Sequence, residues 1–313
     1  MYYLNELKEN DNINEIYLCR TKRTLLTKAG KPYDSLILQD KTGTIDAKIW
    51  DPGSPGIGDF DELDYVDVTG TVTSFQGQLQ FNIRRIRRCK EGEYDPAQYL
   101  PISKRDNEEM YKELLALIDS VKNEKILALL KAFFKEDEAF IKSFRASSAA
   151  KAVHHGFVGG LLEHTLGVAK LCDYLAGAYP ILNRDLLLAG AILHDVGKTR
   201  ELSLFPENDY TDEGQLVGHI VIGVEMIDEK LRDIPDFPKV LAGELRHMIL
   251  SHHGEYEFGS PKKPGLIEAA ALNFADNTDA KLEIFKELLE TPGEGAWLGY
   301  QRMLDATVRR TEI

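Results

Sequence analysis

All eight histidines of this 313-residue chain fall between His154 and His253, and none lies elsewhere. Histidines that only decorate a surface scatter, so this confinement limits what the middle of the chain can become. The limit tightens once helical periodicity is applied, because residues three and four apart share one face of a helix. In GGLLEHTLGVAKLCDYL, His164 shares its stripe with Leu161, Val168, Leu171 and Leu175. In AILHDVGK, His194 falls in line with Leu187, Gly190 and Ala191, and Asp195 follows directly. His219 aligns with Leu216, Ile222, Gly223 and Met226, and His252 extends the row Leu241, Leu245, Met248, Ile249. Asp276 lies with Ala269, Leu272, Asn273 and Ala280.

Each of these helices therefore turns an imidazole or a carboxylate toward its apolar side. One such histidine is ordinarily a hydrogen-bonded core residue. Several in one domain, joined by two inward carboxylates, point to a shared partner. Burying Asp195 and Asp276 without a counter-charge costs several kcal/mol each. A divalent cation removes that cost and accepts neutral imidazoles at the same centre. Mixed His/Asp ligation suits Mn²⁺, Co²⁺, Fe²⁺ or Zn²⁺, and the ligand types alone do not choose among them.

The rest of the chain reads differently. Residues 12 to about 90 carry strand signals: SLILQDKTGTIDAKIW alternates around a DKTG turn, YVDVTGTVTSF alternates again, and QLQFNIRRIRR follows a Gln76-Gly77 turn. About five short strands in so few residues predict a small closed barrel, most simply an OB-fold, over residues 1–92. GEYDPAQYLPISK has two prolines and no periodicity, so residues 93–104 are expected to be a linker. From 105 to 313 the periodicity is helical, with Asn107 a candidate first cap and further helices expected at 159–178, 184–194, 215–231, 238–252 and 266–290. The predicted architecture is multidomain: an all-β barrel followed by an all-α bundle whose metal-site core spans about 150–285.

Charge separates the same two regions. Residues 1–90 balance 13 basic against 13 acidic side chains, so the remainder carries the whole net charge of −13. Such a balance argues against non-specific coating of nucleic acid. No apolar run approaches the roughly 20 residues of a membrane span. The N-terminus MYYLNELKENDN lacks the features of a signal peptide. Cys19, Cys89 and Cys172 form no CxxC pair, and a cytoplasmic location with no membrane partner is expected.

Taken together, His164, the pair His194-Asp195 within HDVGK, His219, His252-His253 and Asp276 resemble the H…HD…H…H…D signature of HD-domain metal phosphohydrolases. With a barrel in front, nearly the whole chain is similar to the YhaM-type 3′–5′ exoribonucleases. That resemblance implies that His164, His194, Asp195 and Asp276 hold a first metal. It implies that His219, His252 and His253 belong to a second, with Asp195 bridging; whether one ion or two binds is left open. Lys198 matches a family lysine facing substrate phosphate. Asn273 stands where a histidine is expected. His154 and His155, ahead of Gly159-Gly160, are candidates to contact substrate or protonate the leaving group, or are plain loop residues.

The activity so implied is metal-dependent hydrolysis of single-stranded RNA from the 3′ end, with single-stranded DNA as a further substrate. The alternative is a phosphohydrolase of nucleotides or cyclic dinucleotides with the barrel as regulator. Homo-oligomerisation is left open by the sequence. OB surfaces bind single strands by stacking bases on aromatics beside a basic track. The candidates are Tyr33, Trp50, Phe75 and Phe81 with Lys22, Arg23, Lys28, Arg84, Arg85, Arg87 and Arg88, although Trp50 and Phe81 also alternate with core positions.

Overall fold

The computed structural model describes residues 2–151, 155–290 and 295–311. His154, one of the candidates for substrate contact, lies outside the described residues. The chain divides into two compact units, Met1–Pro101 and Ile102–Ile313.

The first unit is built on five strands, β1 (Asn12–Leu26), β2 (Pro32–Asp40), β3 (Gly43–Ile49), β4 (Tyr65–Phe75) and β5 (Gln78–Arg88). They close in the order β1-β2-β3-β5-β4, the arrangement expected of an OB barrel. β1 makes closure possible: a register shift between Cys19 and Thr21 bends it, so it serves both β2 and β4. Period-two alternation sends Leu36 and Leu38, Ile45 and Ala47, Val66 and Val68, and Phe81 and Ile83 into the core. A second shift opposite Thr69/Gly70 leaves Arg84 unpaired on β5. Ile83 and Ile86 thereby stay inside while Arg84 and Arg85 both face solvent.

The linker expectation for 93–104 is corrected over its first part. Asp95 caps a short 3₁₀ turn at Pro96–Gln98, and Gln39 donates to the Tyr99 carbonyl at 2.9 Å. Tyr94 stacks on Tyr65 with ring centroids 3.7 Å apart, and Tyr99 and Leu100 are buried. The aromatic side chains that punctuate the two prolines hold this segment to the barrel, so residues 93–101 belong to the first unit.

The second unit contains α1 (Asn107–Asp119), α2 (Glu124–Phe134), α3 (Glu138–Ala146), α4 (Gly160–Ala178), α5 (Arg184–Leu193), α6 (Lys198–Glu201), α7 (Asp212–Leu216), α8 (His219–Arg232), α9 (Lys239–Ser251) and α10 (Ile267–Glu290). Asp106, Asn123, Asp137 and Asn183 start α1, α2, α3 and α5 by accepting from first-turn amides. Asn107 is thus not the first cap; its side chain donates to the Arg145 carbonyl instead. The all-α expectation is corrected at the far end, where β6 (Trp297–Gln301) and β7 (Ala306–Arg309) pair as an antiparallel hairpin. Among the described residues no helix is long and apolar enough to cross a membrane.

The core of this unit is formed where α4, α5 and α10 pack on one another and α9 packs on α5 and α10. Every residue from Leu186 to Gly197 is buried. Each fully buried leucine in that run contributes about 1.5–3 kcal/mol. The same run carries His194 and Asp195 into the interior rather than out to the surface.

Candidate metal centre

Three of the centre's histidines are aimed by nearby carbonyls. His194 follows the last residue of α5, and its Nδ1 donates to the Ala191 carbonyl at 2.8 Å. His252 follows α9 in the same way, its Nδ1 donating to the Ile249 carbonyl at 2.7 Å. Helix ends leave carbonyls without intrahelical partners, and here those carbonyls fix the imidazole tautomer. His253 Nδ1 donates to the Phe258 carbonyl at 2.8 Å.

Carboxylates do the same work for the other two. His164 on α4 donates from Nδ1 to Asp279 on α10 at 2.7 Å. His219 donates from Nδ1 to Glu201 at 2.9 Å, and the same oxygen accepts from the His219 backbone amide. That cap explains why one expected helix over 215–231 is two: α8 begins at His219, and Leu216 ends α7 with its side chain 85% exposed. Leu216 is therefore not part of the buried row assigned to His219. Close approach of α8 also dictates Gly197, where a Cβ would lie 2.0 Å from the His219 carbonyl oxygen.

With every Nδ1 engaged, the five Nε2 atoms carry the lone pairs, and two groups form around Asp195. On one side, His164 Nε2 lies 3.2 Å from His194 Nε2 and 3.2 Å from Asp276 Oδ1. Asp195 Oδ2 is 3.2 Å from His194 Nε2 and 3.5 Å from His164 Nε2. On the other side, Asp195 Oδ1 is 3.5 Å from His219 Nε2 and 3.7 Å from His252 Nε2. Ring nitrogens of His219, His252 and His253 lie within 4.8 Å of one another, as do ligand atoms of His164, His194 and Asp276.

The test of whether a cation belongs here lies in unsatisfied atoms. Asp195 Oδ1, His219 Nε2 and His252 Nε2 are all buried and have no hydrogen-bond partner among the described residues. Buried acceptors are ordinarily paired, and three orphans converging on one point call for positive charge. His252 and His253 both have their pKa lowered, by burial first and then by neighbouring histidines, which keeps them neutral and ligand-competent. Burial alone would push the Asp195 carboxyl up, yet Lys198 and His194 beside it hold it well below the usual range. The Asp276 carboxyl is likewise lowered against burial, by its bond to His164. Burial would lower His164, but Asp276 and Asp279 outweigh it and raise this imidazole to about 10. The carboxylates gathered here make the site an anionic cradle, and its residues fit a divalent cation.

The sequence-level candidates His164, His194, Asp195, His219, His252, His253 and Asp276 are thus brought together. Residues 161–281 match the HD domain family. The chain is 39% identical over 272 residues to the 3′–5′ exoribonuclease YhaM of Geobacillus sp. (strain WCH70), covering 85% of this chain and 82% of that one. It is 37% identical over 291 residues to the 3′–5′ exoribonuclease YhaM of Bacillus subtilis (strain 168), covering 91% and 90%. The chain belongs to the YhaM exoribonuclease family. Its HD domain implies divalent-metal binding, in accord with the cradle.

The remaining candidates of this YhaM-family chain are placed as follows. His155 is 2% exposed, and its Nε2 donates to Asp279 at 3.0 Å, so it stands behind His164 rather than open to a substrate. Lys198 is held on Asp195 Oδ2 at 2.7 Å. Asn273, in place of an expected histidine, donates to the His252 carbonyl at 2.6 Å and so anchors the backbone at His252 and His253. Asp279 and Glu201 were not anticipated. The signal for Asp279 was its spacing of one helical turn from Asp276; Glu201 had none, because its partner lies across a loop.

On the barrel, Phe81 is in the core at 1% exposure and cannot stack on a base. Trp50 is exposed, stacked on Tyr33 at 5.1 Å and fixed by donation from Nε1 to Asn82 at 2.9 Å. Phe75 is also exposed. Arg87 pairs with Asp67 and Glu93, both at 2.8 Å, and Arg88 with Asp64 at 3.1 Å. Lys22 donates to the Phe60 carbonyl at 2.7 Å. Arg84 and Arg85 face solvent, as do Arg23 and Lys28.

Proposed function

We propose that this protein is a metal-dependent 3′–5′ exoribonuclease acting on single-stranded RNA, with single-stranded DNA as a further substrate. The observation that carries the reading is the two-sided use of Asp195, whose oxygens face separate clusters of imidazole nitrogens. We assign His164, His194, Asp195 and Asp276 to one cation and Asp195, His219, His252 and His253 to a second, with Mn²⁺ preferred over Co²⁺, Fe²⁺ or Zn²⁺. Divalent cations held there supply Lewis-acid chemistry, polarising the phosphoryl group and lowering the pKa of water.

The chain's own residues do the rest. Asp279 and Glu201 orient His164 and His219, and His155 acts through Asp279 as a positioning residue rather than on the substrate. Lys198 supplies a compact positive charge for an incoming phosphate oxygen. The Tyr33–Trp50 stack and the outward Arg84 and Arg85 suit the barrel to a single strand. Three buried, unpaired cysteines support a cytoplasmic setting.

The test is incubation of manganese-loaded protein with 5′-labelled single-stranded RNA. A ladder shortening from the 3′ end is expected. Intact RNA beside hydrolysed nucleotides or cyclic dinucleotides would replace this reading with a small-molecule phosphohydrolase.

A further inference from the structure

Exposed apolar and aromatic side chains lie close in sequence to His219 and His253, two of the histidines of the second cluster. On the His253 side, Tyr256 and Phe258 are 63% and 62% exposed. On the His219 side, Leu216, Val217 and Val221 are exposed as well, at 85%, 43% and 38%. The two histidines are themselves close, with ring centroids 5.2 Å apart. Phe258 is directly attached to the centre through its carbonyl, which holds His253 Nδ1 at 2.8 Å.

The loop presenting the two aromatics is tightly built. Gly254, at φ 80°, leaves no room for a side chain, since a Cβ would lie 2.6 Å from Asn273 Nδ2. Asn273 in turn donates to the His252 carbonyl. Ser260 donates to the carbonyls of Leu250 and Lys262 at 3.0 and 2.7 Å, and the Gly265 amide donates to His247 at 2.8 Å. Lys263 pairs with Glu255 and lies 5.6 Å over the Tyr256 ring. A loop fixed at this many points that still turns two rings to solvent is organised to offer them to a ligand. Residues 255–263 carry two glutamates and two lysines, so this rim is neutral within an acidic domain.

We propose that Tyr256 and Phe258, together with Leu216 and Val217 just ahead of His219, grip the terminal nucleobase of the strand whose phosphodiester lies at the metal centre. The proposal rests on the exonuclease reading and adds to it a base-contacting subsite within the HD unit, separate from the barrel. Apolar and aromatic jaws have no hydrogen-bond code, so the grip accepts every base by its π-face. Its neutrality admits a base without attracting phosphates to the wrong place.

The test uses the manganese-loaded full chain and two RNAs, one ordinary and one whose 3′-terminal nucleotide lacks its base. Tyr256→Ala, Phe258→Ala and Leu216→Ala are compared with the parent, with metal content and circular dichroism recorded for each. Loss of one stacking partner is expected to raise KM for ordinary RNA about tenfold, with metal content unchanged. The parent is expected to show a similar loss on the base-free RNA, and the aromatic variants no further loss on it. Variants that match the parent on ordinary RNA, or losses from ring and base that simply multiply, would overturn the subsite alone. A metal-loaded parent that shortens neither RNA would overturn the exonuclease reading together with it.

Discussion

His164 is bound to Asp279 through Nδ1 at 2.7 Å, while its Nε2 faces Asp276 at 3.2 Å. Two aspartates one turn apart on α10 therefore hold opposite ends of a single imidazole. The inner one shares the metal cluster, and the outer one sets which nitrogen keeps the lone pair.

Asp279→Asn should accordingly weaken metal binding without unfolding the helical unit. The expected loss of Mn²⁺ affinity is about 10–100-fold, the range for removing an orienting partner of a ligand. Calorimetric titration of the metal-free chain with Mn²⁺ measures it, and excess Mn²⁺ should restore much of the activity. Wild-type affinity in this variant would show that the Ala191-type carbonyl contacts suffice.

Asp195→Ala removes the group common to both clusters, so it should lose metal and activity together, beyond the roughly 10–100-fold of an outer partner. If the barrel and the rim hold the strand as proposed, RNA affinity should stay within about twofold as read by fluorescence anisotropy. A variant that loses RNA binding but still cleaves a short substrate would refute this division of labour.

Two aromatics on the barrel should behave oppositely. Phe81→Ala empties a core position and should cost about 3–5 kcal/mol of stability. Trp50→Ala should leave the unfolding midpoint nearly unchanged and weaken RNA binding by about 1–3 kcal/mol, the value of one stacked base. Paired denaturation and binding curves for the two variants decide this.

The third helix supplies a pH prediction. Asp137 caps α3 and accepts from Lys230 of α8 at 2.7 Å; the Lys230 bond and then the Phe140 amide hold its carboxyl below the usual range. A depressed folded pKa stabilises above the unfolded value of about 3.9 and is lost as pH falls through the folded one. Asp137→Ala should therefore cost about 1 kcal/mol near neutrality and progressively less below about pH 4. Urea midpoints of parent and variant from pH 3 to 7 provide the check.

The stripes that carry His164, His194, His252 and Asp276 inward were legible because helical periodicity is a local property of the chain. The same applies to the alternating strands of the barrel. The errors arose where two elements meet. Phe81 sits opposite buried Ala47 of β3 and goes inside, whereas Trp50, directly after buried Ile49, takes the outward phase. Residues 93–101 carry the prolines of a linker, but Tyr94 and Tyr99 find Tyr65 across the barrel.

The sequence by itself determined that a barrel precedes a helical bundle, and that the bundle turns imidazoles and carboxylates toward one interior. Only the tertiary structure decided how those groups are used. The direction of each lone pair depends on partners distant in the chain, such as Asp279 for His164 and Glu201 for His219. Lys198 reaches one oxygen of Asp195 from three residues away, but it is His219 and His252, distant in the chain, that converge on the other. Periodicity records which face of a helix is buried, whereas a hydrogen bond is fixed by distance and angle between atoms that folding alone brings together.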